Sequence, residues 1–390
     1  MTTTSHAAQF EDIAPYDNSQ FRQKMAELVE EPGLEHAVKY VMPDVDYPEF
    51  VKQLLSIPDK ETFQTKVMAP FLELLAHKTS TGISANGLDN IANGTSYTFI
   101  TNHRDIVLDA SFLNLCFLRN SMPTSEVAIG SNLLIYDWIT DLVKLNKSFI
   151  VKRNLRVTQA LEAANQLSAY IHYTINTKHE SVWIAQREGR AKDSNDMTQE
   201  SLVKMLALAG EGSIVDHLCE INLMPVSISY EYDPNDYLKA REFLLKKLNP
   251  KFKKSQRDDL FSMETGLLQP KGRIHFELAP CINPELRAIP ANADKAEVLH
   301  NVCRIINGAI HSGYMIYPIN YYAADKLGDT DAFSSHYTPE EAAEYEHYFQ
   351  KQLDKVTDEV AFDPDNRRYM LEMMFRMYAN PLLNKLAAQN

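Results

Sequence analysis

The chain is short of cysteine. The four it has, Cys116, Cys219, Cys281 and Cys303, lie far apart, and no CxxC or Cys/His spacing among them suggests a zinc site or a redox pair. A reducing cytoplasm is the compartment this usage fits. Long apolar runs are missing too, and no stretch approaches the roughly 20 residues that a membrane-crossing helix needs. The opening MTTTSHAAQFEDIAPYD has no basic region followed by an apolar one, so nothing there reads as a secretory leader. A soluble protein is expected, or one held only peripherally at the inner face of a membrane. Positive charge is also scarce, with 39 Lys and Arg against 52 Asp and Glu for a formal net charge of −13. That balance argues against a nucleic-acid partner, whose phosphates demand clustered cations. No strand is followed by a P-loop or a G-x-G-x-x-G, and there is no G-x-S-x-G elbow, which removes the usual nucleotide signatures and a covalent serine mechanism. Neither a metal nor a resident cofactor is expected.

What is present is enough apolar material, 45% of residues, to fill a large core. Up to about residue 80 the pattern is helical, with Phe21, Met25 and Leu28, then Phe50, Leu54 and Leu55, spaced for one buried face and broken at Pro32, Pro43 and Pro58. Beyond it, short β-branched and aromatic runs alternate with helix-length segments: SYTFITN, EVAIGSN, SFIVKR, SVWIAQRE, INLMPVSISYE and RIHFELAP. This alternation predicts an α/β fold with a mixed, mostly parallel sheet flanked by helices. Helical periodicity returns from Pro339 to Lys355 and from Arg367 to Ala387. Three parts are expected: a small helical N-terminal domain over 1–80, an α/β domain over 81–335, and C-terminal helices over 336–390 that pack on it.

Three predicted strands end in groups able to do chemistry. The first runs into Thr101-Asn-His-Arg-Asp-Ile-Val-Leu-Asp109, where His103 precedes an apolar helix that opens with two carboxylates. Asp105 and Asp109 are four residues apart on one helical face, so either can reach back to His103. A carboxylate on one ring nitrogen fixes the tautomer and leaves the other nitrogen to take a proton from a hydroxyl. The same pattern also fits two aspartates that only cap the helix. The second strand ends at Lys152 and Arg153, the third at Arg187, Glu188, Gly189, Arg190 and Lys192. Strand ends of an α/β sheet are where ligands bind, and adjacent cations there suit an anion. In so acidic a chain, three such ends point to one shared site.

These stretches resemble the motifs of the glycerolipid acyltransferase superfamily. NHRDIVLD is similar to its His/Asp motif, GSNLLIYD through SFIVKR to the second, WIAQREGRAK to the third and MPVSISYE to the proline-containing fourth. The resemblance covers about residues 65 to 285, and the helical extension and the WIA…GR-x-[RK] pattern look most similar to the soluble plastid-type glycerol-3-phosphate acyltransferases. It implies transfer of a fatty acyl group from acyl-CoA or an acyl carrier protein to glycerol 3-phosphate, with 1-acylglycerol 3-phosphate as the alternative acceptor. A catalytically silent lipid-binding relative is a third reading. By the same resemblance His103 is the base, Lys152, Arg153, Arg190 and Lys192 hold the acceptor phosphate, and Glu188, beside Gly189, orients the acceptor or an arginine. The chain departs from the pattern in one place. Five residues rather than four separate His103 from Asp109, and Leu108 falls where the aspartate is expected, so Asp109 takes that role with Asp105 as its rival.

The strongest charge run, Lys246 to Arg257 (KKLNPKFKKSQR), reads either as a solvated loop or as a docking surface for an acidic carrier or an anionic membrane.

Overall fold

A computed structural model describes residues 9–210 and 212–389; the first eight residues of the N-terminal stretch lie outside the described residues. Seven strands form one sheet: β1 (Ser80–Asn86), β2 (Thr98–Thr101), β3 (Glu126–Gly130), β4 (Ser148–Val151), β5 (Val182–Ala185), β6 (Leu223–Tyr230) and β7 (Gly272–Leu278), in the order β1-β7-β6-β2-β5-β3-β4. Among the described residues only the β6–β7 pair is antiparallel. The fold is thus α/β with a mixed, mostly parallel sheet, as the alternation predicts.

The central strands β2 and β6 are buried along their whole length, Thr98, Thr101, Ser227 and Ser229 included. One face of the sheet, carrying Ile100, Ile184 and Leu223, packs on Leu167, Ile171, Val302 and Ile306 of the Val157–Tyr173 and Lys295–Ser312 helices. The opposite face, carrying Phe99, Trp183, Met224 and Val226, packs on Leu75 and on Leu108, Phe112 and Leu115 of the Leu108–Arg119 helix. β1 is a strand the sequence reading lacks. Its segment STGISAN is small and polar, and it pairs at the sheet edge through β7 alone, so it needs no apolar alternation.

The N-terminal helices bury Phe21, Met25, Leu28, Leu54 and Phe63 among themselves and against Leu145, with Trp138 and Leu142 packed alongside. At the other end Met370, Met373 and Met374 of the long Pro364–Gln389 helix fill a core with Tyr322 and Phe349. The basic run is not an open loop throughout: it closes the Asp236–Leu248 helix and opens the Gln256–Leu268 helix, with Lys246 paired to Glu242 and Lys254 to Asp259. Among the described residues no helix is long and apolar enough to cross a membrane.

Candidate active site

The first strand end is built around a turn whose backbone is pinned from several sides. Asn102 donates to the carbonyl of Ile228 at 2.9 Å and accepts from its N–H at 2.7 Å, tying the end of β2 to β6. His103 follows, and its Nδ1 lies 2.7 Å from Oδ2 of Asp109 in the first turn of the Leu108–Arg119 helix. That same oxygen accepts the backbone N–H groups of Arg104 at 2.6 Å and Asp105 at 3.1 Å. Three donors thus converge on this one oxygen of a buried side chain at the helix N-terminus. A carboxylate facing Nδ1 places the proton there and leaves Nε2 as the acceptor. The ring is edge-on to Trp183, with centroids 5.6 Å apart.

Asp105 does the other job. Its Oδ1 accepts from the N–H groups of Val107 at 2.9 Å and Leu108 at 2.8 Å, closing the helix N-terminus. Burial and the neighbouring Asp109 carboxylate push its pKa up from the usual carboxylate range. The two aspartates thus divide into a cap and a partner for the imidazole. The additional residue before Asp109 is taken up in the turn that Asp105 caps.

Behind this turn lies a polar network that sequence reasoning did not find. Arg104 is buried and pairs with Asp196 at 2.7 Å, and Tyr314 donates to the same carboxylate at 2.6 Å. The carbonyl of Arg104 accepts from Lys239 at 3.3 Å, and Lys239 is also paired to Asp233. The N–H of Asp233 donates to the Tyr378 hydroxyl at 2.9 Å, and Tyr378 donates to Asp236 at 2.9 Å. Burial raises Asp236 to about 6. The only signal in the sequence was the position of Arg104, next to His103.

The cations assemble beside the dyad but are not equally free. Arg153 sits 3.2 Å from the exposed Glu188 carboxylate, and its backbone N–H donates to Ser131. Gly189 adopts a positive φ of 66°, letting the chain turn between Glu188 and Arg190. Arg190 donates to Asn235 at 3.3 Å in the amide orientation that also lets Asn235 donate to Ser262. Lys152 is engaged by Asp12 at 2.5 Å and by Gln166 at 2.9 Å. Lys192 is paired to Glu242, and burial lowers it to about 8 against the pull of that carboxylate. Among the described residues no three His, Cys, Asp or Glu side chains are grouped as metal ligands.

His103, Lys152, Arg153, Glu188, Arg190 and Lys192 all line one cavity of about 1780 Å³. Its polar end holds His103, Arg153, Arg187, Glu188 and Arg190, and it continues between the N-terminal helices and the α/β layers along Val38, Val41, Phe50, Phe71, Leu134 and Trp138. The N-terminal helices therefore form one wall of an apolar arm, which sequence alone did not locate.

No family model matches this chain, and no curated protein matches it. Among solved structures, the chain is similar to the 1-acyl-sn-glycerophosphate (LPA) acyltransferase PlsC from Thermotoga maritima, over 74% of this chain and 92% of that one, at 12% identity and a TM-score of 0.38.

Proposed function

We propose that the protein transfers a fatty acyl group from an acyl thioester to a hydroxyl of glycerol 3-phosphate. One observation carries this reading: a histidine whose Nδ1 is held by a buried carboxylate opens, with unneutralised guanidinium groups, into a cavity that continues as an apolar arm. The dyad suits proton abstraction from an alcohol. The guanidiniums suit a phosphate, and the arm suits an alkyl chain.

In the reaction, the acceptor oxygen attacks the thioester carbonyl carbon as Nε2 of His103 takes its proton. Asp109 stabilises the imidazolium that results. The tetrahedral intermediate then collapses: the C–S bond breaks, and the proton on Nε2 passes to the leaving thiolate. An ester and a free thiol are the products, and no covalent acyl-enzyme is formed. Either acyl-CoA or an acyl carrier protein supplies the thioester.

The test is thiol release from an acyl thioester by the purified protein with no acceptor, with glycerol 3-phosphate, and with 1-acylglycerol 3-phosphate. Release that depends on glycerol 3-phosphate is expected. Release only with the lysophospholipid would assign the second acyl transfer instead. No release with either acceptor, alongside retained binding of an alkyl chain, would mark a silent lipid-binding protein.

A further inference from the structure

One cation at the polar end, Arg187, lies outside the set that the motif resemblance gives to the phosphate. β2 and β5 run parallel with Thr101 opposite Ala185, and Gln186 N–H donates to the Thr101 carbonyl at 2.7 Å. Arg187 follows two residues after Ala185, at the strand end next to the one that carries His103. Trp183 on that same strand meets the His103 imidazole with its ring. Both Arg187 and His103 line the cavity.

The guanidinium is also unclaimed. Nε of Arg187 is buried without a hydrogen-bond partner, and among the described residues no carboxylate pairs with this side chain. Its neighbours differ: Arg104 has Asp196, Arg153 has Glu188, Lys152 has Asp12 and Lys192 has Glu242. In a chain with a net charge of −13, a cation left bare beside the base is conspicuous. A buried N–H without an acceptor is costly, and the cost is relieved if a ligand supplies the oxygen.

We infer that Arg187 is the principal ligand of the acceptor's phosphate, with Arg190 as its second. The assignment rests on the acyl-transfer reading for its place in the reaction. In glycerol 3-phosphate only a three-carbon backbone separates the attacked hydroxyl from the phosphate, so the anion must lie close to His103. Arg187 lines the same cavity as His103 from the neighbouring strand end, and its planar fork can hold two phosphate oxygens at once.

Arg187→Gln and Arg187→Lys test it, each checked for a wild-type circular dichroism spectrum and melting curve. For Arg187→Gln the KM for glycerol 3-phosphate should rise about tenfold or more, with kcat at saturating acceptor and KM for the thioester within about twofold of wild type. Arg187→Lys should recover part of the loss. An unchanged acceptor KM overturns the assignment. So does a fall in kcat alone, which would place the guanidinium at the thioester carbonyl oxygen, or a rise confined to the acyl-CoA KM, which would place it at the donor's phosphates. Calorimetric titration with inorganic phosphate and with glycerol 3-phosphate reads the same site without catalysis. If the wild type transfers nothing yet binds phosphate, and Arg187→Gln does not, the acyl-transfer reading fails while the anion site stands.

Discussion

At the scale of single residues, the two aspartates after His103 make opposite predictions. Asp109→Asn keeps the shape but removes the charge that stabilises an imidazolium and favours the wrong tautomer, so kcat should fall at least a hundredfold with little change in either KM. Asp105→Asn keeps an oxygen for the N–H groups of Val107 and Leu108, and Asn caps helices as well as Asp, so activity should stay within a few-fold of wild type. Steady-state kinetics on both variants check the pair. Lys192 adds a pH dependence. It loses its proton near pH 8 in the folded protein rather than near 10.5, so a phosphate held partly by its charge should bind less well as pH climbs through 8. Lys192→Arg, charged throughout, should flatten the rise in acceptor KM between pH 7 and 9. Stability runs the other way. Between about 8 and 10.5 the unfolded chain binds the proton that the folded one has released, so this residue's contribution to stability grows with pH in that window. His103, Arg153 and Arg190 were legible as residues because each ends an apolar strand in a charge. Which aspartate meets the histidine was not legible, because two carboxylates one helical turn apart differ only in how the turn between them folds.

Among elements, the turn that carries His103 is held by parts of the chain far away in sequence. Lys239 on the Asp236–Leu248 helix reaches its backbone at Arg104, and Tyr378 on the last helix bears on Asp233 and Asp236. Gly266 on the Gln256–Leu268 helix presses so close to Asp105 that a Cβ there would run into its Oδ2. Lys239→Met should therefore leave Asp233 as an unpaired buried charge and cost about 3–5 kcal/mol. Equilibrium unfolding in urea measures it; a loss under about 1 kcal/mol would show that Lys239 contributes little to the turn. Strands such as SYTFITN and helices such as Pro339–Leu353 were legible in the sequence. β1 was not, because the face it turns to the core carries only Ile83 and Ala85 among small polar residues. The Gln256–Leu268 helix was not either, since its opening lies within the basic run.

Taken as a whole molecule, the chain places the His103–Asp109 pair and a cationic rim at the strand ends, and walls an apolar arm with its N-terminal helices. Ala37 on the Pro32–Val41 helix lines that arm. Ala37→Phe should cut turnover of long acyl chains several-fold while sparing short ones, read as a chain-length profile of thioester donors; a uniform change across lengths would mean that the arm does not hold the chain. The central claim is that His103 draws the proton from a phosphorylated alcohol while a thioester is cleaved. The measurement that bears on it most directly is glycerol 3-phosphate-dependent thiol release by wild type and by folded His103→Ala, side by side at saturating donor. The account predicts release by the wild type and a loss on the order of a hundred- to ten-thousand-fold in the variant. Equal rates in the two proteins would contradict it.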